Sequence, residues 1–145
     1  MTEETPRFVI IDDNDGITSL VKRNLIRKIG WPEEDITICP TKESALSLIQ
    51  ELGHLGLQFI ALVDGNLSNS SQDGKDGNEV IDAIKKSAKN GVSISFSGTD
   101  VLPGADIQFS KDGYVNGQLP QVIQNARAIL EGRRSGSSAS TNPSN

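Results

Sequence analysis

Asp12-Asp13, Asp64, Ser97 and Lys111 are the residues whose types and positions could do chemistry together. Each follows a short strand-like stretch. Phe8-Val9-Ile10-Ile11 runs into Asp12, Phe59-Ile60-Ala61-Leu62-Val63 into Asp64, Val92-Ser93-Ile94-Ser95-Phe96 into Ser97, and Ile107-Gln108-Phe109 into Ser110-Lys111. A continuous apolar run bounded by Gly and Asn reads as a strand buried on both faces. Open parallel sheets place their ligands at the carboxyl ends of such strands. An ionised Asp64 there needs a partner, because an unpaired carboxylate is costly to desolvate. Three carboxylates brought together call for a cation. A hard divalent ion suits them, and Mg²⁺ characteristically takes one or two carboxylates plus waters and phosphate oxygens. Lys111 supplies a second positive charge and Ser97 a neutral donor. That is the setting a phosphoryl group on Asp64 requires, since charge stabilisation dominates phosphoryl transfer and a carboxylate can serve as the nucleophile.

The elements that must position these residues alternate along the chain. After the first strand, Ile17, Leu20, Val21, Leu25 and Ile29 recur near helical spacing, and Gly30 stops that helix before Trp31-Pro32. Ile36-Thr37-Ile38-Cys39 is a second strand. Thr41 caps a second helix through Leu52, ended by Gly53, which leaves His54 in a loop. Residues 65–77 read as a long polar loop after the third strand, and Val80, Ile81, Ala83, Ile84 and Ala88 mark a third helix. Between Ser97 and Lys111 the fifth strand leaves room for one helical turn at most. Pro120 opens the last helix, whose core face is Val122, Ile123, Ala126, Ile129 and Leu130. Strand–helix alternation predicts an α/β fold: a flavodoxin-like, doubly wound, five-stranded parallel sheet in order 2-1-3-4-5, its fourth helix shortened or absent. Residues 1–6 read as a disordered lead-in, 7–132 as the domain, and 133–145 as a disordered tail or linker. Trp31 is expected at the end of the sheet opposite Asp64.

Composition narrows the functional classes. A net charge of −5 argues against a nucleic-acid surface, which needs clustered Lys and Arg. The single cysteine, Cys39, excludes an internal disulfide framework and fits a reducing cytoplasm, where it reads as a small buried hydrophobe. No apolar run approaches a membrane span, and the acidic start does not resemble a signal peptide. A soluble cytoplasmic protein is expected, with neither nucleic acid nor membrane as a direct partner.

Taken in order, Ile10-Ile11-Asp12-Asp13, Ala61-Leu62-Val63-Asp64-Gly65-Asn66, Ser95-Phe96-Ser97-Gly98 and Ser110-Lys111 resemble the receiver domain of bacterial two-component response regulators over about residues 7–131. The resemblance implies that Asp64 is the phosphoacceptor and Mg²⁺ the cofactor. It implies Asp13 as a direct ligand, Asp12 acting largely through water, and Asn66 lending its backbone carbonyl. Ser97, with Gly98, would engage the phosphoryl group, and Lys111 would pair with the acceptor carboxylate or the phosphate. Asn66 and Thr99 would flank the route of water and tune slow autodephosphorylation. The phosphoryl donor would be a histidine kinase or histidine phosphotransfer protein, and the outcome a switched surface for a downstream protein partner rather than enzymatic turnover. The sequence departs from the family pattern in its extended, proline-free loop after Asp64. It departs again at the switch position on the fifth strand, where Gln108 stands three before the lysine with Phe109 beside it, and in Asp112 after the lysine.

Other readings stand beside this one. Asp12-Asp13 could cap the first helix, and Lys111 could form a purely structural ion pair with Asp64. A phosphorylation-independent module could retain the fold. A phosphatase of the haloacid dehalogenase type also uses a nucleophilic Asp and Mg²⁺. It needs a second acid two residues later, where this chain has Asn66.

Overall fold

A computed structural model describes residues 5–64, 75–87, 90–97, 104–110, 114 and 116–140. Five strands form one parallel sheet: β1 (Arg7–Ile11), β2 (Ile36–Cys39), β3 (Phe59–Asp64), β4 (Gly91–Ser97) and β5 (Ile107–Ser110), in the order β2-β1-β3-β4-β5. Among the described residues four α-helices accompany them: α1 (Asp15–Asn24), α2 (Lys42–Leu55), α3 (Lys75–Ser87) and α4 (Leu119–Ser140). This is the doubly wound architecture and strand order that the alternation predicts.

Period-two alternation sorts the strand residues between two helical layers. Phe8, Ile10, Ile60, Leu62, Val92, Ile94, Phe96 and Phe109 pack against Val21 and Leu25 below α1 and against Leu119, Val122, Ile123, Ala126 and Leu130 of α4. Val9, Ile11, Ala61 and Val63 pack the other way, against Ala45, Ile49 and Leu52 of α2 and Val80, Ile81 and Ile84 of α3. Strands β1 and β3 are thus apolar on both faces, which is why they read as unbroken runs. Strand β4 is apolar on one face only. Ser93 on the other is buried because Asp106 satisfies it: its N–H and Oγ–H reach Asp106 Oδ2 at 3.0 and 3.3 Å, and its Oγ accepts the Asp106 N–H at 3.1 Å.

Several boundaries differ from those expected. Helix α1 continues as a π-helical turn, Leu25–Ile29, before Gly30 stops it with φ 82°. Helix α2 passes through Gly53 and ends at Gly56, whose φ of 70° provides the left-handed cap, so His54 lies in the last helical turn rather than a loop. Its start is as expected, with Thr41 and Ser44 in a reciprocal capping box. Helix α3 begins at Lys75, so residues 75–77 belong to it and not to the preceding loop; Gly77 reads as a breaker but is buried there. Helix α4 runs past Gly132 to Ser140, and Arg133 is anchored to Asp106 and to the Gly91 carbonyl. At the other terminus the Pro6 carbonyl accepts the Trp31 indole N–H at 3.1 Å. Between β4 and β5, residues 104–106 form a turn and bend; the rest of that connection lies outside the described residues. Among the described residues no helix is long and apolar enough to cross a membrane.

Candidate functional site

The order β2-β1-β3-β4-β5 creates a switch point between β1 and β3, where the chain departs to opposite sides of the sheet. Register does the rest. Ile11 is paired with Val63, so Asp12, one residue on, lies beside Asp64. Asp12, Asp13 and Asp64 each offer an oxygen within 4.8 Å of the others'. Asp12 is 2% exposed and Asp64 8%, whereas Asp13 faces solvent. An all-oxygen, all-carboxylate donor set of this kind fits a hard divalent cation and not a soft metal, which prefers thiolate or imidazole.

Local hydrogen bonds fix the first of these acids. The Asp12 N–H donates to the Cys39 carbonyl at 3.2 Å, tying it to β2. Its Oδ1 accepts the Asn14 N–H at 2.9 Å. Asn14 is the N-cap of α1, its Oδ1 accepting the Ile17 N–H at 3.1 Å. The capping role open to Asp12-Asp13 in the sequence is therefore taken by Asn14, and Asp13 is left to the cluster. Nothing but position marks Asn14 as the cap, since Asp and Asn serve equally well there.

Ser97 ends β4 in register with Ser110, the last residue of β5. Both strands therefore close on the same edge as β1 and β3, as expected. Asn66, Gly98, Thr99 and Lys111 lie outside the described residues. Lys42, at the start of α2, meets Glu79 of α3 at 3.3 Å, an exposed pair that links two helices near this edge.

The two residues expected at the switch position part company. Phe109 is buried toward α1 and α4, and its ring stacks on Phe96 at 5.4 Å. Gln108, one residue earlier, is exposed and points to the opposite side of the sheet, as strand alternation requires. The aromatic that accompanies Phe109 is one the sequence reading passed over. Tyr114 packs edge-on to Phe96 and Phe109, at 5.6 and 6.3 Å, and its hydroxyl accepts a hydrogen bond from Asn24 Nδ2 of α1. Its one sequence signal is rarity, as the only tyrosine in the chain, three residues beyond Lys111. Burial pushes its phenol above the ordinary value, and the Asn24 contact pulls it part of the way back. Cys39, beside Asp12, is buried as expected; burial raises its thiol and a hydrogen bond with Ser44 opposes the rise.

No protein-family model and no curated protein matches this sequence. Solved structures do. A signal receiver domain of an HD domain-containing protein from Pseudomonas fluorescens Pf-5 is similar with a TM-score of 0.67 at 15% identity, covering 95% of this chain and 97% of that one. NtrX from Brucella abortus, crystallised with ADP, is similar with a TM-score of 0.61 at 20% identity over 95% of this chain, which spans 29% of the NtrX chain. RcsB from Salmonella enterica serovar Typhimurium, bound to a promoter in the presence of the phosphomimetic BeF3-, gives 0.58 at 17% identity over 92% of this chain and 68% of that one. RcsB is described as a response regulator. At these identities the likeness speaks for architecture, and the chain has the five-stranded, doubly wound fold found in response-regulator receiver domains.

Proposed function

We propose that this protein is a phosphorylation-controlled receiver in which Asp64 accepts a phosphoryl group from a histidine kinase or a histidine phosphotransfer protein. The observation that carries the reading is the convergence of the Asp12, Asp13 and Asp64 oxygens within 4.8 Å at the switch point of the sheet. The fold shared with receiver domains supports it.

Asp64 is held at the tip of a fully buried strand, so its carboxylate approaches a donor from a rigid base. An Asp64 oxygen forms the new bond to phosphorus, the N–P bond of the phosphohistidine breaks, and the released imidazole nitrogen takes up a proton. Asp12, Asp13 and Asp64, with the Asn66 carbonyl, would hold Mg²⁺. When bound it neutralises charge on the phosphoryl oxygens. Asp12 is kept in place by the Asn14 N–H and by the pairing of its backbone with β2. Ser97, with Gly98, donates to the phosphoryl oxygens, and Lys111 pairs with the acceptor or the phosphate. Asn66 and Thr99 tune the slow return to the unmodified state by water. The protein turns over no external substrate. Its product is a changed surface charge that biases a downstream protein contact.

The test is incubation with Mg²⁺ and acetyl phosphate. The expected product is a single acid-stable, base-labile phosphoryl adduct mapped to Asp64 and absent from Asp64→Asn. No adduct on the folded protein, or an adduct that persists in Asp64→Asn, overturns the assignment.

A further inference from the structure

A chain of contacts that phosphoryl transfer itself does not need joins the acid cluster to the far end of the molecule. Asp64, Phe96 and Phe109 occupy one register row across β3, β4 and β5. In a parallel sheet, side chains along such a row share a face, here the face covered by α1 and α4. Tyr114 closes over the Phe96–Phe109 stack and is hydrogen-bonded to Asn24, the last residue of α1. At its other end α1 is capped by Asn14, whose N–H is bound to Asp12. Both ends of this helix are therefore tied to the acid cluster, one through Asp12 and one through the aromatic row beside Asp64.

Beyond Asn24 the helix changes character. Leu25–Ile29 form a π-helical turn, and the Trp31 N–H closes it on the Leu25 carbonyl at 2.9 Å. Such turns are rare and gather at functional sites. Trp31 itself is 1% exposed, edge-on to Phe8 at 5.4 Å, with the Arg127 guanidinium of α4 4.7 Å from its ring centre. Close-packed rows transmit a displacement instead of absorbing it. New bulk and charge on Asp64 act on the Phe96 end of the row.

We propose that α1 is a lever. A phosphoryl group on Asp64 displaces the Phe96–Phe109–Tyr114 cluster, the Tyr114–Asn24 hydrogen bond passes the displacement to α1, and the π turn delivers it to Trp31. The responsive surface is then that of α1 and Tyr114, in place of the Gln108 side of β5. This rests on Asp64 being the acceptor. Coupling of this kind is reciprocal: whatever the loaded site does to the lever, the lever does to loading.

The 145-residue chain carries its own reporters, one tryptophan and one tyrosine. Mg²⁺ with beryllofluoride is the probe. Fluorine NMR reads occupancy of the acid cluster, and the Trp31 indole N–H resonance reads the far end. The expected result is a Trp31 shift in the wild type on loading that is lost in Tyr114→Phe and in Asn24→Ala, both still loaded. A loaded wild type with an unmoved Trp31, or a shift retained in both variants, overturns the lever and leaves the assignment of Asp64 standing. Absence of any bound fluorine signal in the folded wild type overturns both.

Discussion

The two ends of the sheet are built on opposite principles. At the carboxyl end Asp12, Asp13 and Asp64 bring like charges within 4.8 Å of one another. At the amino end opposite charges meet, and the Trp31 ring lies against Phe8. Arg7 meets Asp35 at 3.8 Å, Arg133 meets Asp106 and the Gly91 carbonyl, Asn90 reaches the Gly56 carbonyl at 3.2 Å, and Arg127 lies over Trp31. A cation placed among like charges relieves their mutual repulsion, and ion pairs and packed rings contribute stability of their own. The strands do not differ in this respect; their register carries both ends. One end ties strands and helices together across the sheet, and the other gathers the acids that a divalent cation would join.

The largest effect that would break this contrast is at Trp31. Removing a fully buried indole costs about 3–5 kcal/mol. Trp31→Ala is expected to lower the unfolding free energy from urea titration by that amount when followed by circular dichroism, and to keep Mg²⁺-dependent labelling of Asp64 in the fraction that remains folded, at a rate altered by the loss of the lever's far end. Complete loss of labelling from folded Trp31→Ala would show that the acid site cannot form without the far end, which is more than the lever requires. Next comes the acid end. A cation that binds only the folded chain stabilises it by mass action, by about 2.7 kcal/mol at one hundred times its dissociation constant. Mg²⁺ titrated against thermal unfolding is expected to raise Tm in the wild type and in Trp31→Ala alike, and to do so no longer in Asp13→Asn. A Tm that ignores Mg²⁺ would remove the cation from the account of this end.

Much of this contrast is legible in the sequence, and unevenly so. Strands β1 and β3 declare themselves because burial on both faces leaves no polar residue until the tip. The same feature locates Asp12 and Asp64, and the alternation of elements supplies the order that makes them neighbours. The far end is not legible in this way. The Arg133–Asp106 pair joins residues distant in sequence, and no local pattern announces it. Arg133 follows Gly132 at the head of a Ser- and Gly-rich stretch that resembles a tail, yet the helix carries its backbone onward. Local signals misplace other boundaries for a related reason. Gly53 and Gly77 look like breakers, but helices continue through both because α2 and α3 are held by their apolar faces on the sheet, and tertiary packing overrides propensity. No local pattern marks Tyr114, because its partners Phe96, Phe109 and Asn24 meet it only in three dimensions.

A finer test concerns how tightly the paired end is built. Gly91 opens β4 directly over the ring of Phe59. A Cβ at position 91 would fall 2.4 Å from Cζ of that ring, which is completely buried and has nowhere to go. Overpacking of this sort costs about 1–3 kcal/mol. Gly91→Ala is expected to lower the unfolding free energy from denaturant titration by that amount with labelling at Asp64 intact. The double variant Phe59→Leu, Gly91→Ala should then be less destabilised than the sum of the single changes, because the two sites share one space. Strict additivity would mean that the backbone, not the ring, absorbs the new methyl group.

The smallest expected effect separates the ends by pH. Burial holds the Cys39 thiol above its ordinary 9.0 and the Tyr114 phenol above its ordinary 10.0, with hydrogen bonds from Ser44 and Asn24 opposing the shift. The unfolded chain therefore releases these protons at lower pH than the folded one. Between the two values it binds fewer protons, and stability falls as pH rises. The contribution is complete below about pH 9 for Cys39 and below about pH 10 for Tyr114, and is lost as pH climbs through the folded values. Both groups belong to the acid end, Cys39 beside Asp12 and Tyr114 over the Phe96–Phe109 row. At the other end the Trp31 indole carries no titrating proton in this range. Urea midpoints measured from neutral pH upward are thus expected to decline at the alkaline limit. Cys39→Ala should flatten the earlier part of that decline and Tyr114→Phe the later part, whereas Arg133→Ala should shift the whole curve downward without changing its shape. A decline that survives both substitutions would assign the alkaline sensitivity to groups other than Cys39 and Tyr114.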